Sequence, residues 1–137
     1  MKITQEADYA LRVVLYLSKL GYDNKMDAAT IAEHEGLPLR FLLKLLRKLI
    51  TADIIKSYRG VNGGYALNKL PEDITFKDVI QAIDGPICVN RCIYDPSYCN
   101  VHRSNKCEIH NALSQVQIDL LAQLGKINFK NLEYPSK

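Results

Sequence analysis

The sequence predicts a mainly α fold with a small β wing: a winged helix-turn-helix followed by a long C-terminal dimerisation helix. Three observations carry this. Apolar residues recur at helical spacing in three successive N-terminal blocks, the third directly after a short helix and a tight turn. Two runs of strand-forming residues flank a glycine-rich tip, RGVNGG. A narrow apolar stripe then runs from Ile109 to Leu124.

Taken in order, residues 3–20 place Ala7, Ala10, Leu11, Val14, Leu15 and Leu17 at helical spacing and end at Gly21, which defines the first helix. A short second helix lies in DAATIAEHEG, where Asp27 accepts from the free amides of the first turn and Gly36 takes the left-handed conformation that ends it. His34, in its last turn, reads as a surface residue beside helix carbonyls rather than as a metal ligand. Leu37 and Pro38 reopen a helix that runs to about Thr51, since proline is tolerated in a first turn.

At 100° per residue, Arg40, Lys44, Arg47 and Lys48 fall within an arc of about 100° on this third helix. Phe41, Leu42, Leu45, Leu46 and Leu49 fill the opposite side. The helix is therefore expected to be buried on one face and cationic on the other. Ile54–Tyr58 and Tyr65–Leu67 read as the two strands of a hairpin. At its tip, Arg59, Gly60, Asn62, Gly63 and Gly64 suit a minor groove or a phosphate, and equally a plain turn that needs positive dihedral angles. Thr75 then caps one more short helix to Ile83, stopped by Asp84, Gly85 and Pro86.

Beyond the cysteines, Ile109, Leu113, Val116, Leu120 and Leu124 recur at spacings of four, three, four and four, with Ile118 and Leu121 off the stripe. Such a seam packs helix on helix across a two-fold axis or, alternatively, against the chain's own core. The expected division is 1–84 for the winged helix-turn-helix, 85–106 for a cysteine-rich loop and 107–137 for the dimerisation helix and tail.

With 137 residues, 47% hydrophobic and 24% charged, the chain has globular composition and room for one core with an extension. No apolar run is long enough to cross a bilayer, and Glu6, Asp8, Arg12 and Lys19 interrupt the N-terminal stretch, which excludes a signal peptide. A cytoplasmic protein with no membrane partner is expected. The net charge of +3 says little, but its distribution says more. Six basic residues (Arg40, Lys44, Arg47, Lys48, Lys56, Arg59) meet only Asp53 between positions 40 and 59, a local +5 that leaves −2 for the rest. That polarity is the footprint of a surface that meets phosphate, or of a solvated lysine-rich helix face.

All four cysteines lie between Cys88 and Cys107, separated by three, six and seven residues. A reducing compartment disfavours a structural disulfide. Zinc sites usually use paired CxxC knuckles, which are missing here. Irregular spacing on a loop suits an iron-sulfur cluster, whose inorganic core fixes the sulfur positions. A catalytic Cys107–His110 pair would lack an orienting acid and an oxyanion site, so no enzyme is expected. His102 reads as a polar loop residue.

MKITQEADYALRVVLYLS, the wing SYRGVNGGYALNK with the following ITFKDVIQAIDG, and the spaced cysteines before a long helix together resemble the Rrf2 family of bacterial winged-helix transcription regulators, with its IscR, NsrR and RirA types. The resemblance covers nearly the whole chain. It implies a homodimer on a palindromic double-stranded DNA operator, with recognition helices in major grooves, wings in minor grooves, and in many members an iron-sulfur cluster on three cysteines. Those fall on Cys92, Cys99 and Cys107. The fourth ligand corresponds to Asp8 of the partner in NsrR-like members or to His110 in IscR-like ones, and Cys88 is an addition that also qualifies. DNA contacts are expected from Leu39, Arg40, Lys44, Lys48, Arg59 and Asn62. Two alternatives stay open: a cluster-free regulator acting through a partner protein or thiol switch, and a zinc-stabilised protein-interaction module.

Overall fold

Thr4, not residue 3, starts the first helix. In the computed structural model, which describes residues 2–101 and 106–132 apart from the side chains of Tyr94 and Pro96, the Thr4 hydroxyl accepts the Ala7 N–H at 3.1 Å. Helix α1 (Gln5–Leu20) then buries Ala7, Ala10, Val13, Val14 and Leu17. His102 lies outside the described residues. Asp27 caps α2 (Ala28–Glu35) by accepting the Thr30 N–H at 2.9 Å, and Gly36, at φ 67°, ends it as expected.

Pro38 is the N-cap of α3 (Leu39–Thr51) rather than a residue of its first turn, with extended ψ of 135°. The reason is Leu37, whose N–H reaches the Ala32 carbonyl at 2.9 Å while its side chain is buried, so the chain must leave the turn extended. From α3, Leu42, Leu45, Leu46 and Leu49 enter one core with α1, Ile31 and the wing. This places the opposite, cationic face in solvent.

Strands β1 (Ile55–Tyr58) and β2 (Gly64–Leu67) pair antiparallel, with Ile55 opposite Leu67 and Tyr58 opposite Gly64. Ile54 is drawn out of the strand because its N–H closes the end of α3 on the Leu49 carbonyl at 3.0 Å. The chain just before α2 also joins the wing: Met26 and Tyr65 exchange backbone hydrogen bonds of 3.0 and 2.9 Å. A Cβ on Gly64 would stand 2.7 Å from the Met26 carbonyl oxygen. Close backbone approach therefore requires that glycine, whatever the tip does with DNA.

After a 3-10 turn at Pro71–Asp73, Thr75 and Asp78 form a reciprocal capping box on α4 (Phe76–Asp84). The cysteine stretch is more regular than a loop, with a short helix α5 (Arg91–Tyr94) and a 3-10 turn at Pro96–Tyr98. Helix α6 (Glu108–Lys126) divides the stripe drawn from the sequence. Leu124 is buried against Ile80 and Ile87, with Leu120 and Leu121 beside them. Ile109, Val116 and Ile118 remain exposed. Beyond α6 the chain returns to the start of α4: the Phe76 N–H donates to the Ile127 carbonyl at 2.9 Å, and buried Phe129 packs on Phe76 with ring centroids 5.1 Å apart.

Candidate functional site

Two arrangements stand out, a cationic face and a cysteine hollow. Arg40, Lys44 and Arg47 are exposed along α3 and border a concave surface of about 640 Å³ together with Pro38, Phe41 and Lys48. Phe41 is braced edge-on by Tyr9 at 5.6 Å, and the Arg12 guanidinium lies 4.6 Å over the Tyr9 ring. Leu39 is exposed at the start of the same helix, with Arg59 and Asn62 exposed at the wing tip. Lys48 differs from its neighbours. It is half-buried, with its Nζ 2.8 Å from Glu6 Oε1 and 3.4 Å from the Ile83 carbonyl oxygen.

The wing is held by the turn between α1 and α2. Asp23, at φ 65°, accepts from Lys56 Nζ at 2.8 Å and from the Tyr58 hydroxyl, so one carboxylate fastens two side chains on the same face of β1. The Lys56 ammonium, with help from the Tyr58 hydroxyl, holds the Asp23 carboxyl below its ordinary 3.8, and Asp23 in turn raises the Lys56 ammonium. A carboxyl depressed in the folded state stabilises it above the unfolded pKa, and that contribution is lost as pH falls through the folded value. Asp23→Asn keeps a residue that tolerates the left-handed backbone and removes only the charge. The variant is expected to melt below the wild type from neutral pH down to 3.8, with the gap closing below that. A gap unchanged through the acid limb of a Tm-versus-pH series would contradict this.

Cys92, Cys99, Cys107 and His110 line one hollow of about 420 Å³, bordered also by Tyr98, whose ring carries the Arg91 guanidinium at 4.7 Å. Cys107 caps α6 and His110 lies three residues on, which puts both on one side of its first turn. His110 Nδ1 is 3.3 Å from Cys92 Sγ. All four cysteines are half-buried. Cys88 lies elsewhere, on a separate hollow with Thr4 and Asp84, and Asp8 is exposed on the first turns of α1. Among the described residues, no three His, Cys, Asp or Glu side chains converge tightly enough to hold a metal ion. The hollow gathers the thiols without closing on a centre.

Sequence reasoning missed Gln117. Buried on α6, its Oε1 accepts the Val89 N–H at 2.8 Å and its Nε2 donates to the Ile87 carbonyl, which pins the start of the cysteine stretch to the helix. The available signal was its place between Leu113, Leu120 and Leu124, on the inner side of α6.

A family model described as Rrf2, an iron-dependent transcriptional regulator, matches residues 3–134. The chain belongs to the Rrf2 family. Its relatives include an rrf2-like HTH-type transcriptional regulator of Rhodobacter capsulatus, 33% identical over 95% of this chain and 91% of that protein. The HTH-type transcriptional regulator IscR of Aliivibrio salmonicida is 33% identical over 67% of this chain and 55% of its own length. Among solved structures, CymR, the global cysteine regulator of Bacillus subtilis, superposes with a TM-score of 0.69 at 27% identity, covering 96% of this chain and 95% of that one. This Rrf2-family protein is thus a DNA-binding transcriptional regulator and not an enzyme. No helix among its described residues is long and apolar enough to cross a membrane.

Proposed function

We propose that this regulator senses redox state, nitric oxide or iron status through an iron-sulfur cluster on Cys92, Cys99 and Cys107. The observation that carries the reading is the single hollow lined by those three cysteines and His110. A donor set of three thiols and an imidazole fits a cluster better than a hard cation. Among the candidates for the fourth ligand, His110 is favoured because it lines the hollow, whereas Cys88 and Asp8 of this copy do not. Asp8 remains open to a partner copy because it is exposed. The iron-dependent description of the family and the likeness to IscR support the same reading. When bound, the cluster supplies an oxidant- and nitric-oxide-reactive iron centre.

On the chain's side, Arg40, Lys44 and Leu39 present the recognition helix to base edges and phosphates, and Arg59 and Asn62 present the wing to the adjacent groove. Exposed Ile109, Val116 and Ile118 on α6 supply apolar area for a second copy, giving a cytoplasmic homodimer on a palindromic operator. The start of the cysteine stretch is tied to α6 by Gln117 and to α4 by chain continuity, so a change in the hollow reaches the elements that carry α3. The competing reading, a cluster-free regulator, draws on the likeness to CymR and on thiols that do not converge.

The test compares DNA affinity before and after iron removal under anaerobic conditions, using a duplex enriched by the wild-type protein from a randomised pool, with mass by light scattering. A dimer whose affinity changes with iron supports the reading. Equal affinity in both states removes the sensing role and leaves the regulator.

A further inference from the structure

We propose that Lys48 is a positioning residue that fastens the recognition helix to the first turn of α1 and to the end of α4, which leads into the cysteine stretch, and is not a phosphate contact. By helical angle Lys48 belongs with Arg40, Lys44 and Arg47, and the sequence alone sends Lys48 to DNA together with Arg40 and Lys44. The packing separates them. Among the described residues no ion pair holds Arg40 or Lys44, whereas the Lys48 ammonium reaches Glu6 at 2.8 Å and the Ile83 carbonyl at 3.4 Å.

Both partners sit at junctions. Glu6 lies in the first turn of α1, the turn that also carries Asp8. Ile83 is the penultimate residue of α4, after which the chain passes through Gly85 and Pro86 to Cys88. These two ends are themselves joined, since the Thr4 hydroxyl donates to Asp84 Oδ1 at 2.6 Å and the Thr4 N–H to Asp84 Oδ2 at 3.5 Å. Thr4, Glu6, Ile83, Asp84 and Lys48 thus form one polar knot, and Lys48 is its link to α3. A movement of either end shifts or breaks the contacts of that ammonium, beside the apolar packing of α1 and α4 on α3. The pair is too exposed to contribute much to stability, so its value lies in geometry. The coupling half of this inference rests on the cluster reading above; the DNA half does not.

The experiment uses full-length wild type, Lys48→Gln and Lys48→Arg, each checked by circular dichroism, on the duplex enriched by the wild type. Operator affinity is measured against salt in the cluster-free protein, and at one salt concentration with and without the cluster. Lys48→Gln is expected to keep the wild-type salt slope, because a lost phosphate contact would reduce it by about 0.9 per site. The ratio of affinities between the two cluster states is expected to shrink by about fivefold or more, within the usual range of coupling between sites. Lys48→Arg, which keeps the charge, restores the ratio. A slope reduced by a full contact makes Lys48 a phosphate ligand and overturns the inference. An unchanged ratio in Lys48→Gln, where the wild type does respond, overturns the coupling alone. A wild type that binds equally in both states brings down the cluster reading and the coupling with it.

Discussion

Leu45→Ala is expected to lower the free energy of unfolding by about 2–5 kcal/mol, the range for truncating a fully buried leucine. Leu45 has no exposed surface, and it packs with Leu42, Leu46 and Leu49 in the core shared by α1, Ile31 and the wing. Against a total of about 5–15 kcal/mol for a domain, that loss is a large fraction. The midpoint of a urea titration should fall with its slope unchanged. Leu39, six residues earlier on the same helix, is 45% exposed and provides the internal control. Leu39→Ala is expected to stay within about 0.5 kcal/mol of the wild type. If both variants lost similar stability, the assignment of one face of α3 to the core and the other to solvent would be wrong.

The second large effect is on DNA. Removing Arg40 and Lys44 together is expected to abolish most sequence-specific affinity while leaving the fold intact, because both side chains are exposed on the concave cationic surface. A good base contact contributes about 1–3 kcal/mol of discrimination, and each phosphate contact about 0.9 of salt slope. The double variant should therefore bind the wild-type operator and an unrelated duplex with similar, weak affinity and with a shallower salt dependence. Arg59→Ala at the wing is expected to act more narrowly, lowering the slope by about one contact with recognition largely retained. Preserved discrimination in the double variant would move base reading away from α3.

What the sequence made legible and what it concealed divide by range. The caps Thr75, Asp27 and Gly36 were readable because a helix cap is decided by residues within three positions of one another. The α3 leucines were readable because their burial follows a fixed angular period. Phe129 was not, since its burial against Phe76 depends on a chain reversal after α6 that no local pattern announces. Gly64 was legible as a special glycine, but its reason, the Met26 carbonyl, lies 38 residues away by subtraction of positions. Lys48 illustrates the same boundary at the site. Its angle on α3 was correct, yet whether a cation at that angle meets solvent or Glu6 is set by how α1 and α4 pack. The cysteines were visible as a group, and the family resemblance already set Cys92, Cys99 and Cys107 apart from Cys88; the fold adds that those three line one hollow with His110 while Cys88 borders another.

Purification under strictly anaerobic conditions, followed by a visible spectrum with iron and acid-labile sulfide assays, tests the central claim most directly. A coloured protein containing iron and sulfide, with the colour lost when Cys92, Cys99 or Cys107 is replaced by alanine, is the result expected here. A colourless protein carrying zinc or no metal, with the same DNA affinity after each of those replacements, would contradict it.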